Sequence, residues 1–416
     1  MTALQLLACI CAALLLQAAV GAGVRIWRWR AMAARTPQLD ASRLRVADAG
    51  AWPGWREFRV MRRAFEDAAR SQCSFLLQPV DGAALPAFKP GQYLTFSLKA
   101  GETAGDATGV ARSLTRCYSL SDLPDPANYR ITVKRMPAPP DRPDLQPGAS
   151  SSYFHDHVQE GDILQVKAPS GHFFIDPDTT VPAVFLAGGI GITPLMSMLR
   201  WCVKEQPERA LHLYYGVRNS SDHAFKALLE DLAGSHPPFR LHVVYSSPGP
   251  DDVQGRDYQH AGHVDLQLLR STLLHGRHQF YVCGPPPMMQ SLVPALRAWG
   301  VKDEDIHFEA FGPASVRPAV PASNEPLDAP SVSFDIRFAG SGRTLVWDGQ
   351  DANLLDFAER HGVAVDSGCR SGSCGSCETK LASGKVQYAD KPDYDIAPGH
   401  CLLCVGTPQS ALELEA

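Results

Sequence analysis

The densest group of chemically reactive residues in this sequence is a set of five cysteines near its carboxyl end. Cys369, Cys374 and Cys377 stand at the spacing C-x4-C-x2-C, and Cys401 and Cys404 follow in CLLC. Structural packing alone does not explain three thiols within nine residues, whereas clustered thiolates are typical metal ligands. The spacing therefore indicates an inorganic site.

Two kinds of metal site fit these cysteines. One is a tetrahedral zinc site built from the C-x2-C and CLLC pairs, although the 23 intervening residues make a long gap. The other is a [2Fe–2S] cluster held by the first three cysteines and one from CLLC. Gly372 and Gly375 favour the cluster, because a loop around two irons needs tight turns whose N–H groups reach the sulfurs. Zinc gives no role to Cys369.

A second reactive group lies in RCYSLSD, residues 116–122. Arg116 can neutralise a pyrophosphate with two parallel hydrogen bonds. Tyr118 can stack on a flat ring system, and Ser119 can hydrogen-bond a ring nitrogen. The same residues are equally compatible with an exposed strand end that carries a salt bridge.

A glycine-rich turn, AGGIGITP (187–194), separates an apolar run from a helical pattern. Closely spaced glycines at this position let a phosphate approach the amino end of a helix. The turn lacks the G-x-G-x-x-G spacing of the common dehydrogenase fingerprint. Tight packing between a strand and a helix is the alternative explanation.

The rest of the chain must position these groups. Its 416 residues are 45% hydrophobic and 20% charged, which is typical of a folded protein. A net charge of −5, without a basic patch, argues against a nucleic-acid partner.

The sequence predicts a multi-domain fold. Between Phe58 and Ile175, short β-rich runs separated by Gly and Pro turns predict an antiparallel barrel. From Val181, apolar strands alternate with helical stretches, which predicts a parallel α/β sheet. The predicted units are an anchor (1–24), a connector (25–52), the barrel (53–175), the α/β domain (176–312), a proline-rich linker (313–330) and a final domain (331–416).

The amino-terminal segment is apolar enough to cross a membrane. Residues 3–24 carry no charge and could span a bilayer as a helix. Four arginines and two tryptophans follow in RIWRWRAMAAR (25–35), which predicts that this side faces the cytoplasm. No basic residue precedes the apolar segment, so we expect a retained single-pass anchor in the cell's inner membrane. A cleaved signal ending near VGA, or a buried core helix, is the alternative.

The cysteine segment is similar to the plant-type ferredoxin domain. In that family the fourth cluster ligand lies in L-x-C-V-x-x-P, which LLCVGTP (402–408) matches. The resemblance covers most of residues 331–416 and implies an α+β, β-grasp fold. It also implies that Cys404 is a ligand and Cys401 a bystander. The implied ligands are Cys369, Cys374, Cys377 and Cys404.

The preceding residues resemble the ferredoxin–NADP⁺ reductase superfamily. RCYS is similar to its R-x-Y-S flavin motif, and VKR (133–135) and GASSSYFHD (148–156) fall where its other flavin segments lie. Residues 55–98 are especially similar to the reductase portion of flavohaemoglobins. The resemblance implies that FAD is bound by Arg116, Tyr118, Ser119, Val133, Lys134, Gly148, Ser151 and Ser152.

The same family has a nicotinamide-dinucleotide motif, G-G-x-G-x-T-P, that AGGIGITP matches. YVCGPPPMM (281–289) matches its second nucleotide motif, and FEAFGP (308–313) matches its end segment. The resemblance implies a catalytic group of Tyr118, Ser119, Cys283 and Glu309, with Phe311 beside the flavin. A surface salt bridge is the alternative role for Glu309. The implied dinucleotide-binding residues are Gly188, Gly189, Gly191, Thr193, Pro194, Cys283, Gly284 and Pro285.

The dinucleotide is expected to be NADH. NADPH needs cations for its 2′-phosphate, and family members that use it carry Ser-Arg after the strand that corresponds to HVVYS. This sequence has SSPGPDD there, with two aspartates. Arg218 remains as a substitute cation for NADPH.

Together these features predict a membrane-anchored, NADH-dependent flavo-iron–sulfur reductase. Its domain order resembles reductases that serve oxygenases, desaturases or hybrid-cluster protein, so we expect an external protein acceptor. Residues 331–416 hold 12 acidic and 7 basic residues, which fits either a basic docking face on that acceptor or simple solubility. A self-contained NADH oxidase or quinone or dye reductase is the alternative function.

Overall fold

The protein is described by a computed structural model over a defined part of its chain. The described residues are 5, 51–99, 113–138, 147–311, 333–368, 370, 372, 374–389, 392 and 394–416. The chain divides into two units, Met1–Asp48 and Ala49–Ala416. The predicted anchor (apart from Gln5) and the proline-rich linker lie outside the described residues. Within the described ranges, no helix combines the length and apolarity that a membrane span requires.

The first domain is a six-stranded antiparallel sheet with strand order β4-β3-β6-β1-β2-β5. A bridge between Leu120 and Ile131 joins the end of β4 to β5, so the sheet closes on itself. Alternating residues such as Phe58 and Val60 are buried, as expected for a barrel strand. The elements are β1 (Arg56–Phe65), β2 (Gln72–Pro79), β3 (Tyr93–Lys99), β4 (Ser113–Ser119), β5 (Tyr129–Lys134), α1 (Ala149–Asp156) and β6 (Ile163–Ser170).

The aromatic side chain of Phe154 packs helix α1 against this barrel. Phe154 is fully buried, and its ring centroid lies 5.2 Å from that of Phe75, 5.4 Å from that of Phe96 and 5.0 Å from that of Tyr118. These edge-to-face contacts stabilise the helix against the strands. The amino end of α1 is thereby held beside β4 and β5.

The second domain is a six-stranded parallel sheet with order β10-β9-β8-β7-β11-β12, which confirms the predicted α/β domain. All six residues of β7 are buried, because helices cover both faces of the sheet. The elements are β7 (Ala183–Gly188), α2 (Ile192–Glu205), β8 (Leu211–Val217), α3 (Lys226–Ser235), β9 (Phe239–Tyr245), β10 (His260–Ala261), α4 (Leu266–Thr272), β11 (Gln279–Gly284), α5 (Pro286–Ala298) and β12 (Ile306–Ala310).

The third domain has a mixed five-stranded sheet with order β14-β13-β19-β15-β17, and a separate β16–β18 pair. Asn353 caps its helix by accepting a hydrogen bond from the Asp356 amide at 2.9 Å. Phe357 of that helix packs on Trp347, with ring centroids 5.2 Å apart. The elements are β13 (Phe334–Phe338), β14 (Arg343–Trp347), α6 (Leu354–Arg360), β15 (Glu378–Ser383), β16 (Val386–Tyr388), β17 (His400–Leu402), β18 (Gly406–Pro408) and β19 (Leu412–Leu414).

A row of histidines crosses one face of the parallel sheet. The rings of His212 and His242 are nearly parallel with centroids 6.2 Å apart, and His260 stacks on His242 at 5.7 Å. The Tyr214 ring stacks on the His242 imidazole with centroids 4.3 Å apart. The His278 ring contacts His212 edge-on, with centroids 6.3 Å apart. Burial, and then the neighbouring imidazoles, lowers the pKa of His212 and of His242 to about 4.

This row predicts an acid-sensitive stability. Between the folded pKa of about 4 and the ordinary value of 6.5, the unfolded chain binds more protons than the folded one. Stability is therefore complete above the unfolded pKa and falls as the pH drops toward 4. We expect His242→Gln to flatten the dependence of Tm on pH between 8 and 4.5, whereas the exposed His275→Gln keeps the wild-type slope. Equal slopes in all three proteins, measured by calorimetry, would contradict this.

Candidate cofactor-binding site

Strand β4 carries the residues predicted to bind the flavin. The Tyr118 hydroxyl forms a 2.7 Å hydrogen bond with Ser150 Oγ, and burial raises the pKa of this phenol to about 12, so it stays protonated at neutral pH. Ser119 is buried. Arg116 donates from Nη1 to the carbonyls of Thr115 at 2.7 Å and Ser367 at 3.2 Å. Its Nη2 and Nε atoms take no part in these two bonds. That edge of the guanidinium can therefore bind a phosphate.

The amino end of α1 forms an anion cradle. Ser151 Oγ donates to the Gly148 carbonyl at 2.9 Å and accepts from the Met136 amide at 3.1 Å. The Ser152 hydroxyl is buried without a hydrogen-bond partner among the described residues. A Cβ on Gly148 would stand 2.8 Å from Ser151 Oγ, so a side chain there would crowd the cradle. An orphan hydroxyl beside free helix N–H groups fits a phosphate of FAD.

Strand β5 brings the barrel to the glycine-rich turn of the second domain. Val133 is buried and its carbonyl hydrogen-bonds His155 Nε2 at 2.9 Å. Next to it, Lys134 Nζ lies 3.9 Å from where a Cβ on Gly189 would stand. Gly189 has φ 53°, a conformation that favours glycine. A cation of the first domain therefore faces the turn predicted to bind the dinucleotide.

The two predicted dinucleotide motifs meet at the ends of adjacent parallel strands. A Cβ on Gly191 would stand 2.1 Å from the carbonyl oxygen of Cys283, and a Cβ on Gly188 would stand 2.6 Å from the Pro285 ring. A Cβ on Gly284 would lie 3.2 Å from the Gly188 Cα. These glycines are therefore required by close packing of the strand ends, whether or not a phosphate is bound.

Helix α2 begins at this junction, and α5 begins just after Pro285. Thr193 in the first turn of α2 is buried, and its hydroxyl donates to the Ile190 carbonyl at 3.0 Å. Pro194 follows, where its missing N–H costs the helix nothing. The amino ends of two helices thus lie at one edge of the sheet, the place where α/β sheets bind nucleotides.

Cys283 and Glu309 are neighbours across strands β11 and β12. The Cys283 thiol is completely buried in the domain core, and burial, followed by the charge of Glu309, raises its pKa well above 9. The thiol is therefore neutral at physiological pH. Phe311, after β12, packs partly buried against the same core. The catalytic roles of these residues stay predictions.

The cysteine loop of the third domain presents buried thiols to backbone donors. The Ser376 amide donates to Cys374 Sγ at 3.5 Å, and the Cys404 amide donates to Cys377 Sγ at 3.4 Å. Gly375 has φ 70°, and a Cβ there would stand 2.3 Å from the Tyr394 ring. N–H bonds to sulfur are what an iron–sulfur site requires. Cys374, Cys377 and Cys404 are buried, and Cys369 lies outside the described residues.

Cys401 differs from the predicted ligands. It sits on β17 opposite Thr379, and only 1% of its surface is exposed. Burial, followed by the nearby Cys377 and Glu378, raises its pKa to about 12. In the described part of the chain, no three or more His, Cys, Asp or Glu side chains are arranged to hold one metal ion. A [2Fe–2S] cluster places only two cysteines on each iron, so this observation does not count against it.

Two contributors to the site were missed in the sequence analysis. Ser150 hydrogen-bonds Tyr118, although it stands inside the GASSS segment that was singled out for its neighbours. Tyr394 covers the cluster loop at Gly375, and its hydroxyl donates to Glu378 at 3.2 Å. No local pattern marks Tyr394, because Glu378 is 16 residues away and Gly375 is 19 residues away, and both are reached only through the fold.

Comparisons with known proteins identify two of the domains. Residues 185–293 match the oxidoreductase NAD-binding domain family, and residues 336–409 match the 2Fe-2S iron-sulfur cluster binding domain family. The flavohemoprotein of Rhizobium meliloti (strain 1021) is 37% identical over 265 residues, which are 64% of this chain and 62% of that protein. The chain thus spans about three fifths of the length of the curated relatives it matches.

Two solved structures resemble the chain over different extents. The flavohaem-like FAD/NAD-binding domain of nitric oxide dioxygenase from Vibrio cholerae O1 biovar El Tor has a TM-score of 0.53 at 31% identity, covering 62% of this chain and 99% of that one. Phthalate dioxygenase reductase, titled a modular structure for electron transfer from pyridine nucleotides to [2Fe–2S], has a TM-score of 0.51 at 26% identity. The match covers 87% of this chain and 98% of the reductase chain.

The contact between the two nucleotide motifs predicts the effect of adding one methyl group. We expect Gly191→Ala to destabilise the protein and weaken NADH binding by at least about tenfold, because the new Cβ displaces the Cys283 carbonyl and the start of α2. The control is Gly234→Ala in α3, where a Cβ meets open space and should stabilise the helix by up to about 1 kcal/mol. Unchanged Tm and NADH affinity in Gly191→Ala would refute the packing argument.

The ligand assignment predicts opposite outcomes for two cysteines. We expect Cys404→Ser to remove most of the visible iron–sulfur absorbance and bound iron, because a thiolate ligand is lost. Cys401→Ser should retain the cluster, since this thiol lies protonated in the core. Iron content and low-temperature electron paramagnetic resonance of the reduced proteins measure both. Cluster loss on Cys401→Ser with retention on Cys404→Ser would reverse the assignment.

Proposed function

Because this chain belongs to the ferredoxin-reductase superfamily, as a FAD/NAD-binding module of the flavohaemoprotein type joined to a [2Fe–2S] domain, we propose that it relays electrons from NADH to a separate protein acceptor. It is an NAD(P)H-dependent oxidoreductase whose cofactors are FAD, NADH and a [2Fe–2S] cluster. We also propose a class of acceptor, a preference for NADH over NADPH, and attachment to a membrane.

The observation that carries the relay is a contact between the flavin strand and the cluster loop. Arg116 donates to the carbonyl of Ser367, two residues before the predicted ligand Cys369. Burial, and then the nearby Arg370, lowers the pKa of Arg116, so two guanidinium groups from different domains are brought together. A pyrophosphate at this position would compensate their charges. The predicted flavin and cluster sites are thus adjacent, as electron transfer between them requires.

Each part of the site then has a separate task. FAD, when bound, would supply the conversion between the two-electron chemistry of NADH and the one-electron chemistry of the cluster. Tyr118 and Ser119 would orient its ring system, and the cradle at Gly148–Ser152 would hold a phosphate. The turn at Gly188–Gly191 and the start of α2 orient NADH at the edge of the parallel sheet. The backbone N–H bonds to Cys374 and Cys377 stabilise thiolate charge in the cluster loop.

The preference for NADH rests on charge at the ends of β8 and β9. A side-chain hydrogen bond with Ser220 lowers the pKa of Asp252, and the bonds that Asp252 accepts from the Gly249 amide at 2.7 Å and the Ser220 amide at 3.3 Å add to this effect. Arg218, the cation that could have received a 2′-phosphate, pairs with Asp222 at 2.7 Å. The Asp252 carboxylate would repel a 2′-phosphate, and the pairing of Arg218 Nε with Asp222 compensates part of the positive charge, so both disfavour NADPH.

The acceptor is proposed to be an oxygenase component or a protein with a similar role. Support comes from the likeness to phthalate dioxygenase reductase over 87% of this chain. The acidic third domain would dock on a basic face of that partner, which would raise the association rate at low salt.

Attachment to the inner membrane is proposed from the amino-terminal sequence. Residues 3–24 are uncharged and are followed by arginines and tryptophans, as in a single-pass anchor with a cytoplasmic carboxyl side. The reductase would then be held close to a membrane-bound acceptor.

Anaerobic titration of the purified protein tests the relay. We expect NADH to bleach the flavin absorbance and to produce a rhombic resonance signal from the reduced cluster, with NADPH at least about tenfold less effective because of Asp252. Flavin bleaching without a cluster signal, together with zinc in the metal analysis, would contradict the relay. Fast oxygen or quinone reduction without any added protein would favour a self-contained oxidase.

Cell fractionation tests the anchor. We expect the full chain to remain in the membrane fraction after a high-salt wash, because apolar burial is insensitive to salt. Deletion of residues 3–24 should release the protein to the supernatant with its flavin and cluster spectra unchanged. Recovery of the full chain in the supernatant, or of an amino terminus that begins after VGA, would disprove a retained anchor.

A further inference from the structure

We propose that Asp122, held between Arg130 and Arg200, is a positioning residue that sets the placement of the dinucleotide-binding helix against the flavin strand. Asp122 is the last residue of the RCYSLSD segment, three residues after Ser119, and it is not among the residues predicted to bind either cofactor. The proposal rests on the function above and adds a determinant of how fast NADH reduces the flavin.

Asp122 joins the first two domains through both its side chain and its backbone. Its Oδ1 accepts from Arg200 of helix α2 and from the Leu123 amide at 2.8 Å. Its Oδ2 lies 3.4 Å from Nε of Arg130, which belongs to β5 of the barrel. Its backbone carbonyl accepts from Ser197 Oγ at 2.6 Å. One aspartate therefore contacts α2 twice, and its carboxylate is bracketed by an arginine of each domain.

The clamp formed by Asp122, Arg130, Ser197 and Arg200 is shielded from water. Ser197 is fully buried, and the charged side chains are only 15–29% exposed. The Arg130 guanidinium also lies 5.2 Å from the ring centroid of Phe225 and donates to the Ser121 carbonyl at 2.5 Å. Such partly buried, multiply bonded charges are screened less than surface pairs, so they hold a defined geometry.

Helix α2 transmits this geometry to the nucleotide. Thr193 and Pro194 stand at its amino end, one turn before Ser197 and two turns before Arg200. The same helix packs closely on the barrel, since a Cβ on Gly91 would stand 2.5 Å from Met198 Cε. A shift of the clamp therefore moves the predicted dinucleotide turn relative to Tyr118 and Ser119. Displacement by about 1 Å costs as much as 10²-fold in rate when two reactants must be aligned.

A second set of hydrogen bonds, separate from the clamp, also joins the first and second domains. The Ala69 amide donates to the Ser221 carbonyl at 2.9 Å, and the Phe225 amide donates to the Glu66 carbonyl at 3.2 Å. The fully buried Gln72 donates from Nε2 to the Asp222 carbonyl at 3.0 Å. Variants of Asp122 should therefore fold with both domains attached, while α2 loses its fixed placement.

The test compares Asp122→Asn and Arg200→Met with Arg200→Lys, which keeps the charge, and with Asp303→Asn. The last variant removes a 2.6 Å surface ion pair to Arg297 in the same domain and is the matched control. Anaerobic stopped-flow with NADH gives the limiting rate constant of flavin reduction and the apparent Kd. Calorimetry gives the NAD⁺ affinity of the oxidised protein, and hydrogen exchange of the peptide covering 192–205 reports the mobility of α2.

We expect Asp122→Asn and Arg200→Met to lower the limiting rate constant by at least about tenfold while NADH and NAD⁺ affinities change by less than about threefold. Exchange in 192–205 should rise, Arg200→Lys should recover most of the rate, and Asp303→Asn should match the wild type. Limiting rates within about threefold of the wild type, with only Tm lowered, would overturn the proposal.

Two other outcomes are distinguishable. If NADH fails to reduce the flavin of the wild-type protein, the proposed function itself is wrong. If Asp122→Asn does not fold, Ser197→Ala and Arg200→Lys decide. If Ser197→Ala lowers the limiting rate constant of flavin reduction more than Arg200→Lys does, at unchanged NADH affinity, the proposed role of the clamp is supported. Wild-type rate constants in both variants refute it.

Discussion

Strand β4 and the three residues after it contact both of the other domains, and the arrangement of the site depends on these contacts. Arg116 reaches the cluster loop at Ser367, and Asp122 holds helix α2 through Ser197 and Arg200. Between them lie Tyr118 and Ser119, the predicted flavin contacts. A chain that moves electrons between separately folded domains must keep its redox groups within a short distance. Here one barrel strand and the residues that follow it provide contacts to both of the other domains.

The motif glycines show that binding and packing requirements coincide. Gly188, Gly191 and Gly284 allow the ends of β7 and β11 to touch, and this contact brings the amino ends of α2 and α5 to one edge. Gly189 differs, because it needs a left-handed conformation and faces Lys134 of the barrel. A glycine-rich turn therefore supports nucleotide binding partly by building the sheet edge on which the nucleotide would lie.

The buried cysteines of this protein differ in the contacts that surround their thiols. Cys283 and Cys401 lie in apolar cores where burial raises the pKa, so both are protonated thiols. Cys374 and Cys377, in contrast, accept backbone N–H bonds that suit thiolates. The backbone N–H bonds therefore distinguish Cys374 and Cys377 as candidate ligands, although Cys377, Cys401 and Cys404 all lie in the same core cluster.

The sequence by itself determined the local chemistry: the cysteine spacing, the RCYS and GGIGITP segments, and the change from β-rich runs to alternating strands and helices. Such features are readable because chain spacing limits which residues one loop, strand or turn can present together. The tertiary structure decided which segments meet. Arg116 and Ser367 are 251 positions apart, and Asp122 and Arg200 are 78 apart. No local pattern marks such pairs, because strand order and domain packing bring them together, and neither is encoded at the scale of one motif.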